Sequence, residues 1–114
     1  MSEIKRGEIY WVSWNPARGS EQRGHRPALI IQNDMGNRAS PNTIVAAVTA
    51  ALDKYYPFMV PILLKDSGLP QDSVINLSQI VTVDKARLGD KCGELSKDKM
   101  VQVDKAIKVS LGLE

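Results

Sequence analysis

Apolar and polar positions along this chain follow a two-residue period for most of its length. Residues 8–14, EIYWVSW, alternate and are rich in aromatic and β-branched types, which predicts a strand. ALIIQ at 28–32 is the short apolar run of a buried strand, and TIVAAVT at 43–49 is apolar enough to be central. FMVPILL at 58–64 reads as another strand, but Pro61 has no N–H to give to a ladder and pushes it to a sheet edge. VINLSQIVTV at 74–83 alternates as a long strand. Residues 15–26, NDMGNRASPN at 33–42 and DSGLPQDS at 66–73 read as polar connections dense in turn residues.

A helical period enters late. Asp84 can cap a short turn through Leu88 that Gly89 ends. Ser96 is a good N-cap. Beyond it Met100, Val103, Ile107 and Leu111 recur along one face, with Lys97, Asp98, Lys105 and Lys108 elsewhere, so this helix should pack on the sheet. The pattern as a whole predicts a mainly β fold with helical additions (α+β): a small, mostly antiparallel barrel.

Composition narrows the setting. With 114 residues the chain is read as one domain over 1–114, large enough to bury a core without disulfides or a structural metal. Cys92 is alone, which rules out an internal disulfide, and one cysteine with one histidine falls short of a usual zinc site, so no metal or cofactor is expected. MSEIKRGEIYW holds no apolar core of signal-peptide length, and no apolar run approaches the ~20 residues that span a bilayer. The expectation is a soluble protein of the reducing cytoplasm. A net charge of +2 is too mild to imply nucleic acid. Its distribution says more: five of six arginines lie in the first 38 residues, and eight of nine lysines follow Asp53. Arginine's planar fork suits phosphate, so the first third is the better candidate for reading it.

That third contains GSEQRGHRP, residues 19–27. Cleaving RNA without a metal needs a base for the 2′-OH, an acid for the departing 5′ oxygen and cations for the extra phosphoryl charge. Here Glu21 or His25 could be the base, and Arg23 and Arg26 could hold phosphate. Ser20, Gln22 and backbone N–H groups freed by Gly19 and Gly24 could donate hydrogen bonds. Pro27 fixes the chain where it enters the next strand, so Arg26 stands at the lip of a rigid element. The same composition also describes a solvated hairpin tip, with Glu21 simply paired to Arg23 or Arg18 for about 0–1 kcal/mol.

RGEIYWVSWNPARGSEQRGHRPALIIQNDMGNRASPNTIVAAVT resembles the MazF/PemK family of toxins, through RG-[DE]-[IV], NP, GSEQ-x-G-x-RP, ND-x-GN, SP and IVA-x-VT. DSVINLSQIVTVDKARL resembles the family's long strand and following helix, and the likeness covers roughly residues 5–112. It implies an SH3-like β-barrel of the MazF/CcdB type with a C-terminal helix, assembled as a homodimer. It implies the toxin of a type II toxin–antitoxin system: a metal-independent, sequence-specific endoribonuclease that cuts single-stranded mRNA to a 2′,3′-cyclic phosphate and a 5′-OH. A cognate antitoxin would inhibit it, and operator DNA would be bound only through the antitoxin complex. Arg26 and Thr49 fall on family catalytic residues, and Glu21 on a base proposed in some members; Ser20 and Gln22 fall on the same loop. Arg23 would steer RNA, and the Tyr55–Tyr56 loop would stack on bases, while Trp11 or Trp14, alternating on one strand, suits the core. Gln79 sits on a strand that would line the groove. Val81 departs from the pattern, since members often carry arginine in this QIVT stretch. The alternative on the same fold is a non-enzymatic CcdB-like gyrase poison acting mainly through the C-terminal helix, which would not need the GSEQ-x-G-x-RP loop.

Overall fold

A computed structural model describes residues 3–13 and 25–114. Its backbone is built around β1 (Glu8–Ser13), β2 (His25–Ile30), β3 (Asn42–Ala50), β4 (Met59–Ile62), β5 (Ser73–Asp84) and β6 (Leu88–Glu94). These form one six-stranded antiparallel sheet in the order β4-β5-β3-β2-β1-β6. Among the described residues no ladder joins β4 to β6, so the sheet is open. Pro61 sits on β4, the edge strand, where its missing N–H costs no ladder bond. The result is the expected mainly β architecture with helical additions.

Among the described residues three α-helices accompany the sheet: α1 (Asp34–Ala39), α2 (Leu64–Ser67) and α3 (Lys97–Ser110). Ser96 caps α3 by accepting a hydrogen bond from the Lys99 N–H. The buried face of α3 carries Val103 and Ala106, with Met100 and Ile107 partly buried beside them. They pack on Ile9, Leu29, Val48, Ile75 and Leu77 from the sheet. Burying a side chain such as Val103 there is worth about 1.5–3 kcal/mol. Leu111, expected on the same face, is exposed because the helix ends at Ser110 and Leu111 is already its C-cap. Trp11 is partly buried against this core, whereas Trp14 lies outside the described residues.

The other side of the sheet has a second core, formed by Val12, Ala28, Ile30, Val45 and Val83, with Ile4, Tyr10 and Leu88 against it. Strands β1, β2 and β3 are therefore buried on both sides, which is why ALII and IVAAV read as nearly continuous apolar runs. The turn-rich stretch 33–42 holds a helix rather than turns alone: Asn33 Oδ1 caps α1 on the Gly36 N–H at 2.7 Å. Asp84 caps a single 3₁₀ turn, Lys85–Arg87, through the Ala86 N–H. Leu88–Glu94 then becomes a strand, starting where the sequence predicts a short turn to end, at Leu88 and Gly89.

Candidate functional site

Arg26 is the second residue of β2, exposed, with Val12 of β1 directly opposite. On the other side of β2, Ala28 pairs with Ala47 of β3. Arg26 lies two residues before Ala28, and Thr49 lies two after Ala47. The β2–β3 pairing stops at Ala28 and Ala47, so Arg26 and Thr49 do not pair directly, but strand alternation directs both toward the same face at the same end of adjacent strands. Thr49 is partly exposed and pairs on its far side with Val74, which in turn pairs with Pro61. The strand pattern thus brings together an arginine and a threonine separated by 23 positions. Pro27 explains part of the placement: it locks the backbone one residue after Arg26, while Ala28, Leu29 and Ile30 anchor the rest of β2 in both cores.

His25 is also exposed at the start of β2. Successive strand residues point to opposite faces, so His25 is directed away from the side that Arg26 shares with Thr49. Ser20, Glu21, Gln22 and Arg23 lie outside the described residues, as do Gly19 and Gly24. Tyr55 and Tyr56 are 42% and 54% exposed in the connection that leaves β3 after Thr49. Tyr56 stacks on Phe58, ring centroids 5.4 Å apart and nearly parallel, an arrangement that leaves one tyrosine face available. Gln79 is exposed on β5, within an irregularity in which Ala46 pairs with Ile80 but Ala47 pairs with Asn76. Residues 77–79 are extra on β5 at that point. Leu77 turns into the core beneath α3 and its N–H bonds the Phe58 carbonyl, while Ser78 and Gln79 remain outside.

The β3–β5 pairing reveals a residue that the sequence pattern does not single out. Asn76 reads as a tolerated polar position in an alternating strand. In the fold it shares its face with Ala47 and, two residues along β3, with Thr49. The only sequence signal is the N-x-S spacing, which lets an asparagine side chain bond the backbone two residues on.

Charged groups elsewhere have structural employment. Lys91 bridges Glu8 at 3.0 Å and Glu94 at 2.9 Å, and both carboxylates raise its pKa. Burial, then a hydrogen bond to Glu8, pushes the Tyr10 hydroxyl up to about 12. Burial also raises the Cys92 thiol, which argues against a reactive thiolate. A cleft of about 390 Å³ is lined by Glu3, Ile4, Tyr10, Asn37, Arg38, Lys85, Leu88 and Gly89, and includes neither Arg26 nor Thr49. Among the described residues, no three His, Cys, Asp or Glu side chains cluster closely enough to hold a metal, and no helix is long and apolar enough to cross a membrane.

The small antiparallel sheet with a C-terminal helix is the fold of a known class of protein. Residues 5–111 match the model of the PemK-like, MazF-like toxins of type II toxin–antitoxin systems, and the chain belongs to that family. It is 50% identical over 111 residues to Endoribonuclease EndoA of Bacillus subtilis, covering 96% of each chain. Among solved structures it resembles an endoribonuclease in complex with its cognate antitoxin from a mycobacterial species, with a TM-score of 0.83, 26% identity and 97% of each chain covered. A MazE–MazF complex from Deinococcus radiodurans shares the fold over 100% of both chains, with a TM-score of 0.82 at 22% identity.

Proposed function

We propose that this chain is the toxin of a type II toxin–antitoxin pair and acts as a metal-independent, sequence-specific endoribonuclease on single-stranded mRNA. What supports the reading is that Arg26 and Thr49 each lie two residues beyond the Ala28–Ala47 pair, on adjacent strands, in a chain half identical to a protein named an endoribonuclease. The RNA would lie over the strand ends. Arg26 clamps the scissile phosphate with its planar guanidinium, stabilising the charge that grows on its oxygens. Thr49 donates a hydrogen bond to a phosphoryl oxygen from the end of β3. Glu21 is the base that takes the 2′-OH proton. Attack of the 2′ oxygen on phosphorus then expels the 5′ oxygen, which takes a proton from water, giving a 2′,3′-cyclic phosphate and a 5′-OH. His25 is set aside as the base because it is directed to the other face. Ser20, Gln22 and Arg23 hold the backbone, while Tyr55, Tyr56 and Gln79 meet bases. A cognate antitoxin covers this surface and inhibits the enzyme, the toxin itself is a cytoplasmic homodimer, and operator DNA is reached only through the antitoxin complex. The matched family and relatives do not favour the gyrase-poison alternative.

The test is incubation of the purified protein with a long single-stranded RNA in EDTA, with the fragment ends analysed. Cleavage to 5′-OH ends is expected, falling about 10²-fold or more in Arg26→Ala. His25→Ala should cut at nearly the parent rate. Intact RNA, or full activity in Arg26→Ala, would overturn the assignment.

A further inference from the structure

Asn76 stands beside the proposed cleavage site with its side chain already half committed. Its Oδ1 accepts hydrogen bonds from the Ser78 N–H at 2.9 Å and the Ser78 hydroxyl at 2.6 Å. A backbone N–H can only donate, so the atom facing it must be the amide oxygen, and the orientation of the amide is fixed. The Nδ2 group, with two donors, has no partner among the described residues, and the residue is only partly buried. Asn76 pairs with Ala47 on one side and with Met59 on the other. One strand across and two residues along from Thr49 is about 8 Å. That separation suits the base of a nucleotide adjacent to the scissile phosphate.

We infer that Asn76 is a specificity-determining residue, reading the base next to the cut as a hydrogen-bond donor; the inference rests on the ribonuclease reading above. Asparagine held by both its oxygen and its nitrogen favours adenine, because it offers an acceptor and a donor together. Here the acceptor is occupied by Ser78, and only donors remain. Aimed at the 4/6 position of the base, such a group accepts uracil O4 or guanine O6 and disfavours adenine and cytosine, which carry an amino donor there. Single-stranded RNA leaves those edges free to be read. Met59, across the ladder on the same face, offers a polarizable apolar surface for the face of the base. Ser78 is then a positioning residue: it locks the amide before RNA arrives, so that little side-chain freedom is lost on binding.

The experiment maps RNA fragment ends for the parent, Asn76→Asp and Asn76→Leu. Aspartate keeps an oxygen for the Ser78 N–H but replaces the donors with an acceptor. The parent should require uracil or guanine at one position adjacent to the cut. Asn76→Asp should lose that preference by about tenfold or more and shift towards adenine or cytosine, whatever its overall rate. Asn76→Leu, which cannot hydrogen-bond, should cut with the preference at that position flattened. A merely structural role would alter rate and stability but not base choice. Unchanged preference in both variants, or no carbonyl-base preference in the parent, overturns this inference and leaves the ribonuclease reading standing. Absence of any cleavage by the parent overturns both.

Discussion

Asn37 shows how one buried polar residue can hold a turn-rich segment in a single conformation. It is 2% exposed. Its Oδ1 accepts from Gln32 Nε2 at 2.9 Å and Thr43 Oγ1 at 2.7 Å, and its Nδ2 donates to the Gln32 carbonyl and Asp34 Oδ1. The Asn37 carbonyl accepts from Lys85 Nζ, which ties α1 to the 3₁₀ turn after β5. The Arg6 N–H, with help from Asn37, in turn holds the Asp34 carboxyl below the usual carboxylate range. Burying this many polar atoms is acceptable only because each is paired. Asn37→Ala would leave the fully buried Thr43 hydroxyl without its acceptor. The expected loss is about 2–3 kcal/mol, read from urea unfolding. A loss below ~0.5 kcal/mol would show that the network is not what holds this segment.

At the scale of elements, close approach of backbones matters as much as side-chain packing. Gly68 ends α2 in the left-handed region, with φ +79°, and donates its N–H to the Leu64 carbonyl. A methyl group there would overlap the Cys92 carbonyl oxygen, and one on Gly93 would overlap the Ser67 carbonyl oxygen. The α2–β6 contact thus depends on two glycines facing each other's backbone. Gly68→Ala should cost about 2 kcal/mol or more, combining left-handed strain with the clash. Gly112, with φ +74° and open space around it, isolates the strain alone, so Gly112→Ala should cost clearly less. Equal shifts in thermal midpoint for the two variants would show that the approach is not tight. The same contact explains what the sequence conceals. Strands β1 to β5 were legible because their apolar runs are buried on at least one side, and α3 because its apolar positions repeat at helical spacing. LGDKCGE has neither signature; it becomes a strand through non-local pairing with β1. Helix α1 was hidden because DMGNRA is held by the Asn33 cap and by Asn37 rather than by an apolar stripe. In the sequence, Arg26 is a candidate through the chemistry of its loop, whereas Thr49 is one only through the family motif. Their relation follows from the β2–β3 register, which the sequence does not show, and Asn76 shares the Thr49 face through the regular β3–β5 pairing.

At the scale of the whole molecule, apolar side chains are exposed in several places among the described residues, and one of them is the end of α3. Ser110 Oγ donates to the Leu77 carbonyl at 2.7 Å, bringing the end of α3 to β5 beside its extra residues. Leu111 and Leu113 follow, 58% and 67% exposed. Clustered exposed apolar residues mark association surfaces more often than free ones. We place the proposed homodimer contact here. Light scattering should therefore return about twice the 12.6 kDa chain mass. Leu111→Asp with Leu113→Asp should shift the protein to monomer, because carboxylates would be desolvated on association. Val101→Asp, exposed on α3 at least two turns before its end, should leave the dimer intact. A dimer that survives the leucine pair but not Val101→Asp would move the contact to the outer face of α3. Arg26 and Thr49 come from a single chain, so the monomeric variant should bind RNA more weakly yet still cut it at saturating concentration. Complete loss of cleavage on dissociation, with the fold intact, would instead show that the second chain contributes to the chemistry.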